Sequence, residues 1–189
     1  MRLSKAANAG RAPLHERALD LYETPPVAVE ALLRAERLPR VVWEPACGPG
    51  AIVRVLRHHR IAVVATDLVD YGCPQGAGGF DFLKIRRAPP DCRCIVTNPP
   101  YKDAGAFVRR ALELAPRVIM LLRLAFLESE RRSDVLDGGR LRRVHVFAKR
   151  LPMMHRAGWT GPKAVSAIAF AWFVWCAEKG PTTIDRIKF

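Results

Sequence analysis

A chain of 189 residues, half of them hydrophobic, is long enough for one domain with a substantial core and too apolar to be disordered throughout. Its 31 basic and 18 acidic residues leave a formal charge of +13, which favours a polyanionic partner, most simply nucleic acid. The N-terminus "MRLSKAANAGRAPLHER" lacks the apolar core of a secretory signal, and the longest apolar run, "AVSAIAFAWFVWCA" (164–177), falls short of the ~20 residues of a membrane helix, so neither export nor a membrane is expected and the cytoplasm is.

Of the basic residues 24 are arginine, a bias that a GC-rich genome also produces, but such a bias does not explain the shortage of acids. The five cysteines, at 47, 73, 92, 94 and 176, are odd in number and come without an export signal, so reduced thiols are expected. Cys92 and Cys94 have no second pair or suitably spaced histidine beside them, so no metal site is expected.

In chain order, residues 1–19 read as a flexible basic tail and residues 20–189 as a single domain. In "LYETPPVAVEALLRAERL", Thr24 is the expected helix N-cap and Pro25 the first helical residue, with a buried face at 29, 32 and 33. "RVVWEP" (40–45) is an apolar strand that runs into "ACGPGAIVRVLRHH", a glycine turn opening a helix whose His58 and His59 belong on the surface. "IAVVATD" (61–67) is a strand ending on an aspartate. "GFDFL" (79–83) reads as a third strand after a Gly-rich connection. "CRCIVT" (92–97) is a fourth, stopped at Asn98 by two prolines that cannot donate to a ladder. "DAGAFVRRALELA" (103–115) has helical spacing, with Phe107, Ala111 and Leu114 on one side. "RVIMLLRLAF" (117–126) is a strand leading to a short helix near "ESERRSDVL", and "LRRVHVFAK" (141–149) and "AIAFAWFVW" (167–175) are two more. Strands alternating with helices predict an α/β, Rossmann-like doubly wound sheet, mostly parallel, with helices on both faces. Ligands of such sheets bind outside the carboxyl ends of the strands, where the glycine turn, Asp67 and Asn98 all fall.

Gly48 and Gly50 in "WEPACGPGAIV" permit a tight turn and a close approach of backbone to ligand. A dinucleotide fingerprint wants a third small residue where Val53 stands, and no lysine is present for a phosphate-binding loop. The turn carries an acid instead, Glu44, and Asp67 ends the next strand. A carboxylate there accepts from both hydroxyls of a ribose, while an acid before the glycines repels phosphate and suits a cation. A sulfonium nucleoside therefore fits better than a dinucleotide.

"EPACGPG", "ATD" and "NPPY", in that order, resemble the class I S-adenosylmethionine-dependent methyltransferases, especially the adenine-N6 DNA enzymes whose cofactor motif precedes N-P-P-Y. "YETP" (22–25) is similar to that branch's first cofactor segment. The resemblance covers about residues 20–127. It implies seven strands with an antiparallel last one, and S-adenosylmethionine as cofactor, held by Tyr22, Thr24, Glu44, Pro45, Ala46, Cys47, Gly48, Gly50, Asp67, Leu68 and Asn98. By the same resemblance Asp81 and Phe82 hold the cofactor's adenine. Asn98, Pro99, Pro100 and Tyr101 are the catalytic set. Adenine's exocyclic amine is a poor nucleophile because its lone pair is delocalised. The Asn98 side-chain carbonyl and the Pro99 backbone carbonyl can each accept one of its N–H groups and draw the nitrogen toward tetrahedral geometry. Tyr101 offers a ring for a flipped base, a contact worth about 1–3 kcal/mol.

Site-specific enzymes of this kind carry a sizeable recognition region, and here the basic stretch 131–163 is the expected substitute, which implies low sequence specificity. Within it Lys149, Arg150, His155, Arg156 and Trp159, with two methionines, suit phosphate contact and base stacking. Lys102 and Arg123 complete the expected substrate set. Alternatives are adenine-N6 or guanine-N2 methylation of RNA, glutamine methylation of a protein, and a non-enzymatic nucleic-acid-binding scaffold. A monomer or homodimer is expected.

Overall fold

The computed structural model describes residues 22–153 and 168–189. The tail expected at 1–19 lies outside them, as do His155, Arg156 and Trp159. Eight strands form one sheet among the described residues, in the order β3-β2-β1-β4-β5-β7-β6-β8. They are β1 (Val41–Glu44), β2 (Ala62–Thr66), β3 (Gly76–Ala77), β4 (Cys94–Thr97), β5 (Arg117–Arg123), β6 (Leu141–Phe147), β7 (Phe170–Cys176) and β8 (Thr183–Ile187). Strands β1 to β5 are parallel, and β7 runs antiparallel to both β5 and β6. The doubly wound α/β fold is therefore as expected, with one strand more than the seven anticipated. The antiparallel strand is the seventh, and β8 adds beyond it as an edge, parallel to β6.

The helices are α1 (Pro26–Ala35), α2 (Ala51–His58), α3 (Ala104–Leu114) and the single turn α4 (Ser133–Leu136). Alternate residues of β5 show why both faces need covering. Ile119 and Leu121 pack with α1 and α2, through Val29, Leu32, Ile52 and Leu56. Val118, Met120 and Leu122 pack with α3, through Phe107, Val108 and Ala111. A strand buried on both faces reads as a continuous apolar run, which is what "RVIMLLR" is. Its partner β7 is the same case, and its two buried indoles find acceptors. Trp172 donates to the Ala28 carbonyl at 2.8 Å and Trp175 to the Val135 carbonyl at 2.7 Å.

Three local expectations are corrected. The helix expected to start with Thr24 as cap has Pro25 there instead, extended at ψ 137, with Pro26 opening the helix. A residue before proline is pushed out of the helical region, so Pro25 cannot begin the turn. "GFDFL" forms no strand: the Asp81 side chain accepts from the Leu83 N–H at 3.1 Å and caps a short 3-10 turn over Phe82–Lys84. The third strand is the two-residue β3 upstream of it. The methionines expected in the basic loop include Met153, which is 2% exposed and packs with Leu151 in the core.

At the end of the sheet away from the Asn98 edge, the last turn of α1 leads into a buried acid. Glu36 accepts from Arg117 at 2.5 Å, from Arg143, and from His145 at 2.8 Å. Burial alone would raise its carboxyl, but the hydrogen bonds from His145 and Arg143 and the charges of Arg143 and Arg117 win and hold it down at about 2. One carboxylate thereby ties α1 to β5 and β6.

Candidate functional site

Because β1, β2, β4 and β5 are parallel, Glu44, Asp67, Asn98 and Arg123 all arrive at one edge of the sheet. An open pocket of about 520 Å³ lies there, and its lining includes Tyr22, Thr24, Glu44, Ala46, Cys47, Gly48, Asp67 and Asn98 of the expected cofactor set. Of the expected catalytic set Asn98 and Pro100 line it, while Pro99 is buried beneath. Pro45, Gly50, Leu68, Asp81 and Phe82 do not line it.

The glycine turn is built from its own needs. Gly50 has φ +87, and a Cβ on it would sit 2.7 Å from the Cys73 sulfur, so this glycine serves backbone conformation and packing rather than ligand approach. Gly48 has φ 50 and does line the pocket. Its N–H donates to Asp67 Oδ2 at 2.8 Å, while the Val69 N–H donates to Asp67 Oδ1 at 3.2 Å. A carboxylate has about four acceptor positions, so capacity remains for a ligand. Burial pushes the Asp67 carboxyl up, against the pull of these backbone donors.

Glu44 is 2% exposed, and its Oε2 has no hydrogen-bond partner among the described residues. Burial, with the Asp67 charge behind it, pushes its carboxyl well above the usual range. Among the described residues the lining holds three acids, Glu23, Glu44 and Asp67, and no lysine or arginine. Such a pocket repels phosphate and favours a cation. Burial also raises the Cys47 thiol, so that side chain is a small apolar wall and no nucleophile.

Asn98 shows the sharpest geometry. Its Nδ2 donates to the Tyr22 carbonyl at 2.9 Å. An amide held by its nitrogen on a carbonyl has its oxygen fixed on the other side, and Asn98 Oδ1 is buried without a partner among the described residues. The strand end thus presents a directed acceptor. The Pro100 carbonyl accepts from the Asp103 N–H at 3.1 Å.

Tyr101 is half-buried and stacked on Tyr22, with ring centroids 5.9 Å apart and planes 22° apart. Phe170 lies 5.5 Å away, and the Arg123 guanidinium lies over the Tyr101 ring at 4.7 Å. Part of the expected stacking surface is therefore covered. Tyr101 and Arg123 also line a second pocket of about 470 Å³, with Ala104, Leu122, Ala125, Phe126 and Arg132. Lys102, Lys149 and Arg150 are exposed, the last two just past the carboxyl end of β6 at the same sheet edge.

Phe82 is 2% exposed and packs edge-on against Trp43, so it belongs to the core, and Asp81 is engaged with Leu83 and Lys84. Exposed residues near Asp67 are others: Leu68 is 61% exposed and Phe80 44%, and the Phe80 N–H donates to the Asp67 carbonyl at 2.9 Å. Phe80 and Tyr71, which lines the first pocket, were missed by sequence reasoning. Their signal was an aromatic on each side of the Gly-rich connection after an acid-terminated strand. Among the described residues no group of three or more His, Cys, Asp or Glu side chains is arranged to hold a metal, and no helix is long and apolar enough to cross a membrane.

The fold has solved counterparts. A protein assigned as the modification subunit of a type I restriction enzyme from Vibrio vulnificus YJ016 matches with a TM-score of 0.59 at 14% identity, over 88% of this chain and 47% of that one. One assigned as an RNA methyltransferase, from Pyrococcus horikoshii, matches with a TM-score of 0.57 at 16% identity, over 90% and 92%. A dimethyladenosine transferase from Plasmodium falciparum matches with a TM-score of 0.54 at 14% identity, over 82% and 62%. The chain spans about half the length of the Vibrio subunit. At these identities the likeness establishes a shared Rossmann-like α/β fold. No protein-family model and no curated protein sequence matches the chain.

Proposed function

We propose that this protein is an S-adenosylmethionine-dependent methyltransferase acting on the exocyclic N6 of adenine in DNA, with low sequence specificity. The observation that carries the reading is Asn98: a buried amide oxygen without a partner among the described residues, fixed in orientation by the Tyr22 carbonyl, at the rim of an acid-lined pocket.

The pocket residues fit the cofactor. Glu44, with an orphaned buried oxygen, and Asp67, with acceptor capacity left over, suit an ammonium, a sulfonium and a ribose diol, whereas a dinucleotide's phosphates would meet acids only. When bound, S-adenosylmethionine supplies an electrophilic methyl group on a sulfonium. The chain's own task is orientation. Asn98 Oδ1 and the Pro99 carbonyl accept the two N–H groups of the adenine amine, which frees its lone pair for the methyl carbon. The methyl group would come from the bound sulfonium, and the amine's spare proton would pass to water, since the Asn98 amide and the Pro99 carbonyl cannot keep it. Glu44 and Asp67 face the cofactor and take no part in that proton transfer.

Exposed Lys102, Arg123, Lys149 and Arg150 around this edge support a nucleic-acid substrate. Contacts of that kind grip phosphates and carry no sequence information, which fits low specificity. Adenine in RNA is the second reading, favoured by the likeness to the Pyrococcus protein. The test offers labelled S-adenosylmethionine with duplex DNA, single-stranded DNA and RNA, followed by nucleoside mass spectrometry. N6-methyladenine in DNA is the expected result. Label in RNA alone transfers the mechanism to that substrate, and no cofactor binding by calorimetry sinks the reading.

A further inference from the structure

Resting on the reading above, we propose that the second pocket takes the DNA nucleotide next to the target base, its phosphodiester held by Arg123 and Arg132. Among the described residues the pocket's lining has two guanidinium groups, no acid, and an apolar floor in which Leu122 is 1% exposed, Phe126 4% and Ala104 5%. That composition matches an anion attached to a flat apolar body.

Both guanidinium groups are held by aromatic rings. Arg132 lies 4.4 Å over Phe126 and donates through Nη1 to the Phe126 carbonyl at 2.8 Å. Arg123 lies 4.7 Å over Tyr101. Stacking occupies a guanidinium's face and leaves in-plane N–H groups for a phosphate; in Arg132, whose Nη1 is committed to the Ala125 and Phe126 carbonyls, these are on the Nε and Nη2 side. Asp134, a near neighbour of Arg132 in sequence, does not compete, because Arg109 holds it by two hydrogen bonds of 2.6 and 2.8 Å. Position completes the case. Tyr101 walls this pocket and stacks on Tyr22, which walls the first, so a stack of two rings separates the cofactor site from the arginines. A strand whose target base reaches Asn98 brings an adjacent phosphate to this side of Tyr101.

The test measures anisotropy of a labelled single-stranded DNA 12-mer with one adenine, together with versions carrying a single neutral methylphosphonate at each position in turn. For the native chain one methylphosphonate beside the adenine should weaken binding about tenfold, as expected for a lost charged hydrogen bond. In Arg123→Gln that substitution should cost clearly less, only the share owed to Arg132, and the slope of log K against log salt should be shallower by about 0.7. Arg123→Lys should restore the slope but only part of the affinity, since it keeps the charge and loses the fork. Methylphosphonate penalties that are equal in native chain and variant, or an unchanged salt slope, overturn the proposal, as does a native chain that does not bind the oligonucleotide. Calorimetry with S-adenosylmethionine, run on the same samples, reports separately on the methyltransferase reading and shows that the Arg123 variants are folded.

Discussion

Asn98 and Glu44 are the two residues whose side chains carry the proposed chemistry, and each is testable alone. Asn98→Ala removes the acceptor but none of the acids, so cofactor affinity should stay within a few fold. Turnover should fall by about 10²–10³, the usual loss for one preorganised transition-state contact, read from single-turnover methylation. Glu44 makes a pH prediction. Its carboxyl is raised by burial and by Asp67, so above the ordinary carboxylate range the folded chain keeps a proton that the unfolded chain has released. The cofactor-free protein therefore loses stability as pH rises through that window. A cationic ligand reverses the preference, so cofactor affinity should rise with pH over the same interval. Glu44→Gln should flatten the melting-temperature profile on the rising-pH side and weaken the pH dependence of cofactor binding. An unchanged profile would remove Glu44 from the account.

At the level of elements, the α1 terminus depends on one carboxylate. Glu36→Ala leaves Arg117, Arg143 and His145 without their shared acceptor and should cost about 3 kcal/mol in denaturant unfolding. The sign with pH is opposite to that of Glu44. Glu36 is held down at about 2, so its contribution is complete above the ordinary glutamate value near 4.5 and disappears as pH falls toward about 2. Which elements were legible follows from burial. β1, β2, β4 and β5 are apolar runs closed by a turn or a polar residue, and they lie where the runs predict. β8 has four exposed residues in five, so hydrophobicity gives it no signature. "GFDFL" has the look of a strand, but its aspartate prefers its own backbone. In the site, acids at strand ends were readable because only a ligand or a helix end would want them there. Phe82 was not, since a core ring and a ligand-facing ring are the same letter. Tyr71 and Phe80 sit in a connection whose path depends on glycines with positive φ.

For the whole molecule, the sheet's order separates jobs. β3 to β5 present the candidate site, while β6 to β8 enlarge the sheet beyond it. Arg34 donates to the Lys188 carbonyl at 3.0 Å and Phe189 packs edge-on against Phe147, so the last residues are fastened to both α1 and β6. Deleting residues 182–189 bares the β6 edge and should lower the melting temperature by about 5 °C, as a loss of 1–2 kcal/mol does in a chain of this size. Cofactor affinity should persist, because none of the deleted residues lines the first pocket. Loss of binding in a deletion variant that still melts cooperatively would contradict this division.

The bond from Asn98 to Tyr22 has a consequence for how such a protein is recognised among its kin. The atom that orients the amide is a peptide oxygen, which every amino acid at position 22 would supply. Side-chain scanning at Tyr22 removes a ring and leaves that oxygen in place. A backbone ester in place of the amide after residue 22 would instead weaken the acceptor and let the Asn98 amide turn over. The information that keeps the Asn98 amide facing one way is therefore stored in the path of the chain, where no comparison of letters can score it.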